Sequence, residues 1–147
     1  MKIRYFITLV ACLFCISTFA QKKEASNETE FRAKQQSYMA KKAELTQEES
    51  EKFFPLYFEF QDKKKEINKE AWSIAKKGKK PETTEAEYKA IIDKFFDNQE
   101  TIVKLEKDYI EKYREILSAK KVYMIYLAER KFSRNMLKIL QEMEEKE

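Results

Sequence analysis

Apolar residues recur at three- and four-residue steps along most of this chain, in long stretches separated by short polar breaks. That period is the signature of amphipathic helices. Over 47–77, Phe53, Tyr57, Phe60, Ile67, Ala71 and Ile74 fall on one helical face, and Lys64 fills the one missing position in the stripe. Just ahead, "LTQEE" (45–49) places Thr46 three residues before Glu49, the spacing of a capping box. There the hydroxyl accepts from an early backbone N–H, and the carboxylate accepts from the cap residue's own N–H. Pro55 lies inside the stretch, where it removes one donor and crowds the carbonyl of Glu51. The apolar period nevertheless keeps phase across it, from Phe53 and Phe54 to Leu56, Tyr57 and Phe60. A bent but continuous helix is therefore predicted, not a stop.

Three further helices follow from the same reading. The first covers 30–43, with Phe31, Tyr38 and Met39 as its large apolar groups. Gly78 is the expected left-handed cap closing the second helix, with Pro81 just beyond it. Thr84 and Glu87 form a second capping box. The third helix, 85–117, carries Tyr88, Ile92, Phe95, Ile102, Tyr109, Tyr113 and Ile116, broadened by Ile91, Leu105 and Ile110. Ser118 caps a fourth, 119–145, built on Val122, Ile125, Phe132, Met136, Ile139 and Met143. Two helices of ~30 residues are about 45–50 Å long. The predicted architecture is all-α, an elongated four-helix hairpin. "ILSAKKVYMIYLAERKF" (116–132) also echoes "ELTQEESEKFFPLYFEF" (44–60) as a weak internal repeat, with Leu117-Ser118 matching Leu45-Thr46 and Ile125 matching Phe53.

The start of the chain has a different pattern. "MKIRYFITLVACLFCISTFA" joins a basic start, an apolar run and small residues before Gln21, the three parts of a secretory signal peptide. Residues 1–20 are expected to be removed after Ala20, and 21–30 to form a disordered polar lead-in to a single domain over 31–147. Leu9 to Cys12 also resembles a lipoprotein box. The apolar stretch before Cys12 is very short, however, and the chain stays apolar after it, so anchoring there is not the expected outcome. The run is shorter than the ~20 residues a spanning helix needs. Export to the periplasm is expected, with no stable membrane insertion.

Composition narrows the chemistry. Both cysteines, Cys12 and Cys15, lie in the leader, and the chain has no histidine. Beyond residue 20 there is no thiol for a disulfide, no Cys/His zinc set, and no His or Cys for catalysis. One glycine and two prolines are too few for a turn-rich β fold. Without Lys2 and Arg4 the 30 basic residues become 28, against 26 acidic ones, a net charge of +2. Near-balance at this density reads as solvated helix faces, not a nucleic-acid binder. Asp93/Asp97 and Glu142/Glu145 have helical spacing and read as surface ion pairs, with Glu49 as a cap. No phosphate loop or nucleophile motif is present. A non-enzyme is expected, with no cofactor and no metal.

Charge and aromatics are unevenly placed. From Asp62 to Lys80, eight lysines, including Lys63, Lys64, Lys65, Lys69, Lys76 and Lys77, face three acids, a local excess of +5. Beside Phe54, Phe58 and Trp72 they could steer and hold acidic, partly unfolded chains. They equally suit a solvated helix end whose lysines complement the helix dipole near Gly78. Beyond residue 20 there are eight Phe, seven Tyr and one Trp. Several sit side by side or one residue apart, as in Phe53-Phe54, Phe58 and Phe60, Phe95-Phe96 and Tyr123-Met124. One of each pair is expected in the core, and the other against a second subunit, a client or solvent.

With its leader, its Cys-free helical body and two Leu-hydroxyl helix starts, the chain resembles the LTxxQ-motif periplasmic proteins, the Spy/CpxP-like family. The first motif is Leu45-Thr46-Gln47-Glu48-Glu49, with Glu for the usual final Gln. The second, Leu117-Ser118-Ala119-Lys120-Lys121, has drifted further. "FFPLYFEF" (53–60) is similar to the variant found in Bacteroidetes. The resemblance implies a four-helix hairpin paired into a curved antiparallel homodimer, with Pro55 bending the long helix along the curve. It also implies an ATP-independent holdase that binds unfolded envelope proteins under stress. The alternative is a regulator that binds a membrane sensor or anti-sigma partner.

Overall fold

The computed structural model describes residues 27–144, and among them the chain is entirely helical and turn. The expected leader, 1–20 with Cys12, lies outside the described residues, as do 21–26, 145–147 and the side chains of Leu140, Met143 and Glu144. Helix α1 covers 27–43, α2 Gln47–Ala75, the 3-10 turn η1 Lys76–Lys79, α3 Glu85–Ile116 and α4 Ala119–Glu144. Residues 27–30, expected within the lead-in, are already helical. Ion pairs one turn apart account for this: Glu28 with Arg32 at 2.7 Å and Glu30 with Lys34 at 2.6 Å, the acids lying toward the helix start. α2 runs unbroken through Pro55. Pro55 and Glu51 both lie on its exposed face, where water can serve the carbonyl that lost its donor.

Cross-helix contacts fix the directions. α3 returns along α2, with Phe53 against Tyr113, Phe60 against Tyr109, Asn98 bonded to Ile67 and Lys94 to Glu70. α1 also runs opposite to α2, through Gln35 to Tyr57 and Arg32 to Asp62. α4 runs in the same sense as α2, with Lys121 beside Glu49 and Glu129 beside Gln61. The core lies where these helices overlap. Met39, Phe53, Tyr57 and Tyr109 are its most buried large side chains, with Phe54, Phe60, Leu117, Ile125 and Ala128 around them. Phe53 alone meets Phe54, Tyr57 and Tyr113 at ring distances of 5.0, 5.7 and 4.9 Å. Each such pair contributes about 0.5–1.5 kcal/mol beyond the area it buries.

Both capping boxes are present. Glu49 N–H donates to Thr46 Oγ1 at 3.2 Å, and Thr46 N–H to Glu49 Oε2 at 2.7 Å. Thr84 and Glu87 repeat this at 3.3 and 2.8 Å. Ser118 caps α4, its Oγ accepting from Lys121 N–H at 3.3 Å. The two repeat copies meet at these caps. Lys121, third residue of α4, donates to both oxygens of Glu49, third residue of α2, at 2.7 and 2.6 Å. Leu117 is buried in the core and Leu45 packs against it.

Several expectations are corrected. Gly78 is not a left-handed cap: it has no positive φ and sits within η1. It sits close to α3 instead: a Cβ there would lie 3.1 Å from Ile91 Cδ1, whose side-chain end would have to shift by a few tenths of an ångström, and 3.5 Å from Tyr88 Cε1. The left-handed residue is Glu44, φ 51°, which ends α1 while Leu45 N–H donates back to Ala40 O at 3.0 Å. Tyr88 and Ile92, expected inside, are largely exposed, and Ile91 takes the inward place. Asn98 is buried on that face, donating to Ile67 O at 3.2 Å. Ile139, assigned to the core face of α4, is also exposed, because α4 has outrun the core by Phe132.

Two outcomes follow. Glu44→Gly relieves a left-handed side chain and raises stability by about 0.5–1 kcal/mol after the extra chain entropy of glycine, measurable by urea unfolding. The Lys121 ammonium, and then the Thr46 N–H, hold the Glu49 carboxyl below its ordinary 4.5. Stability from this group is therefore full above about pH 4.5 and is lost as pH falls through the lower folded-state value. Wild type should exceed Glu49→Gln by a constant margin near neutral pH, and the gap should close in acid; an unchanging gap would contradict the pairing.

Candidate functional site

Past Phe60, α2 loses its cover on one side, and an open groove of about 780 Å³ forms between the start of α1, the middle of α2 and α4. Phe58 forms part of its wall, half-buried, its ring stacked on Phe54 at 6.0 Å. The Arg32 guanidinium lies 5.2 Å above the Phe58 ring and bridges Asp62 on α2 to Glu28. Phe31 adds a second aromatic wall and packs edge-on against Phe132 at 5.5 Å. Trp72 closes the far end and is 64 % exposed. Glu129 of α4 reaches the groove, accepting from Gln61 at 3.0 Å with Lys64 Nζ 4.0 Å away.

Every lining cation has a carboxylate close by. Arg32 holds the Asp62 carboxyl below its usual value, and Arg32 and then Lys65 do the same to Glu28. Asp62 in turn raises the Arg32 guanidinium. Lys65 is 3.3 Å from Glu28 and Lys69 is 3.6 Å from Glu66. These are exposed pairs and add little stability. Lys76, Lys77, Lys79 and Lys80, by contrast, form no ion pair within 4 Å among the described residues. The cationic excess is thus at the η1 tip, one turn beyond Trp72, where the Lys80 and Lys77 charges help lower the Glu87 carboxyl after its bonds to Thr84.

The sequence-predicted residues separate accordingly. Phe58, Lys64, Lys65 and Trp72 share the groove, and Lys76 and Lys77 stand at the tip. Lys63 turns to the other side of α2, donating to Glu59 at 2.7 Å and Tyr109 Oη at 2.9 Å, contacts that raise its pKa. Phe54 is corrected: it is 3 % exposed and belongs to the core. Helix α1 is the reason, because Met39 and Ala43 are buried in the same cluster and provide a second partner beside α3. Leu45, Thr46, Glu49, Leu117 and Ser118 form the cap junction at the opposite end of α2, away from the groove. Of the paired acids, Glu142 meets Lys138 at 3.8 Å, whereas Asp93 and Asp97 are exposed with no cation within 4 Å among the described residues. Arg32 and Glu129 were not foreseen, since each acquires its role from a partner on another helix.

Among the described residues no helix is long and apolar enough to cross a membrane, and no group of three Cys, Asp or Glu is placed to hold a metal ion. No family model, curated protein or solved structure matches the chain.

Core and groove separate by mutation. Phe54→Ala should cost about 3–5 kcal/mol. Trp72→Ala should change stability by no more than about 0.5 kcal/mol, as expected for an exposed side chain. Urea unfolding of the two variants checks both values.

Proposed function

We propose that this protein is an ATP-independent holdase of the cell envelope, a binding protein and not an enzyme, which acts as a homodimer on unfolded or misfolded chains. The observation that carries the reading is the placement of Phe31, Phe58 and Trp72 with Arg32, Lys64, Lys65 and Lys69 around one open groove. Exposed aromatic surface binds apolar segments of many sequences, while guanidinium and ammonium groups donate to carboxylates and backbone carbonyls beside them. The unpaired lysines at the tip add a long-range field that draws acidic chains before contact is made. The LTxxQ resemblance supports the same reading, and nothing in the binding step requires nucleotide.

The test is light scattering of an aggregating denatured client with the purified protein, without ATP, at low and moderate salt. Suppression is expected near stoichiometric ratios and weaker at moderate salt. Trp72→Ala, which leaves the fold intact, should require at least about twofold more protein for equal suppression. Failure with several unrelated clients would instead favour a regulator with one dedicated membrane partner.

A further inference from the structure

Helices α3 and α4 each keep an apolar stripe that no other described residue covers. On α3, Ile92, Phe96, Gln99 and Val103 follow alternating four- and three-residue steps, with Tyr88 one turn earlier. On α4, Tyr123, Leu127, Arg130, Arg134 and Leu137 do the same, with Tyr126 beside them. This is the spacing of a seam between paired helices. Eight of the eleven large apolar side chains exposed among the described residues lie on these two stripes. The stripes also match in length, about 22 Å from Tyr88 to Val103 and about 21 Å from Tyr123 to Leu137. They share one side of the molecule. An open cleft of about 260 Å³ separates α3 from α4, with Ile110, one heptad past Val103, on one bank and Tyr123 and Tyr126 on the other.

Their charges are opposite. Between Ile92 and Val103, Asp93 and Asp97 are exposed without a cation within 4 Å among the described residues. In the same stretch Glu100 pairs with Lys104 at 2.7 Å, and Lys94 is turned to Glu70 of α2 at 3.2 Å. Lys89 and Lys107 stand beyond its two ends. From 130 to 138, α4 carries Arg130, Lys131, Arg134 and Lys138 and no acid. Of these only Lys138 has a carboxylate within 4 Å among the described residues, that of Glu142. Arg130 and Arg134 lie one turn apart within the stripe, where like charges repel.

We infer that the α4 stripe of one molecule packs on the α3 stripe of a second copy, with Arg130 and Arg134 set against Asp93 and Asp97. This rests on the homodimer of the proposed function and assigns its contact. Pairing of like stripes is disfavoured, because α4 on α4 gathers guanidinium groups and α3 on α3 gathers carboxylates. With both stripes on one face, a two-fold axis parallel to the helices lays each α3 on the other molecule's α4, so the contact forms twice. The two molecules then point the same way, in place of the antiparallel pairing that the resemblance implies.

Molar mass from light scattering during size exclusion, over a dilution series of the purified protein, tests this contact. Wild type should be dimeric. Arg130→Glu/Arg134→Glu and Asp93→Lys/Asp97→Lys, both confined to exposed positions, should each raise the dimer dissociation constant at least about tenfold. Mixed one to one, the two variants should dimerise again, because reversed α4 then meets reversed α3 and native α4 meets native α3. Trp72→Ala, in the groove, should stay dimeric. Variants that each dimerise as tightly as wild type, no recovery on mixing, or a monomeric Trp72→Ala would overturn the assignment and leave the homodimer standing. A monomeric wild type would overturn both, while suppression of client aggregation reports on the groove separately.

Discussion

Two helices begin side by side at one end of this molecule, and one carboxylate serves both. Glu49 accepts from the Thr46 N–H to finish the start of α2, and its two oxygens take the Lys121 ammonium at the start of α4. Leu45 and Leu117 join the core from the turns just before those starts. This junction sets the register of α4 along α2, and both cavities need that register. Glu129 stands eleven residues past Ser118 on α4 and lines the groove on one side and the cleft on the other. A helix slipped by one residue would rotate that carboxylate by about 100° and take it out of both.

The legible parts of the structure are those decided within a few residues. Thr46 with Glu49 and Thr84 with Glu87 could be read because a capping box is complete within four positions. The passage of α2 through Pro55 was readable because apolar phase is local. What escaped the reading depends on a distant partner or on a conformation with no residue signature. Phe54 looked surplus beside Phe53, and the core cluster it shares with Met39 and Ala43 of α1 encloses it. Gly78 invited the common glycine cap, whereas the left-handed position fell to Glu44, a residue with no preference for it. Asn98 is a polar residue on an apolar face, and its bond to Ile67 O spans two helices. The groove was legible in part, through Trp72, Phe58 and the lysines. Arg32 came from α1 and Glu129 from α4, positions that no spacing rule connects to α2.

The groove and the tip differ in charge pairing, a difference that the lysine run alone does not show. Within the groove, cations are matched by Glu28, Asp62, Glu66 and Glu129, so local charge is nearly neutral and the aromatic rings dominate contact. At the tip the lysines have no such partners, and their field extends about 8 Å at physiological ionic strength. In the proposed holdase, capture at the tip is thus salt-sensitive and holding in the groove is less so. Trp72 stands where the two regions meet.

The internal repeat gives the Glu49–Lys121 pair a further consequence. A chain with two echoing helix starts has a built-in ambiguity, because one start can meet its own kind on a neighbouring molecule. Exchange of halves between molecules is a known hazard of such architectures. Here the equivalent position holds an acid in one copy and a base in the other. Like halves meeting at this point would set carboxylate against carboxylate or ammonium against ammonium, while unlike halves gain a two-pronged ion pair. The acid in one copy and the base in the other make the two helix starts complementary to each other rather than to themselves.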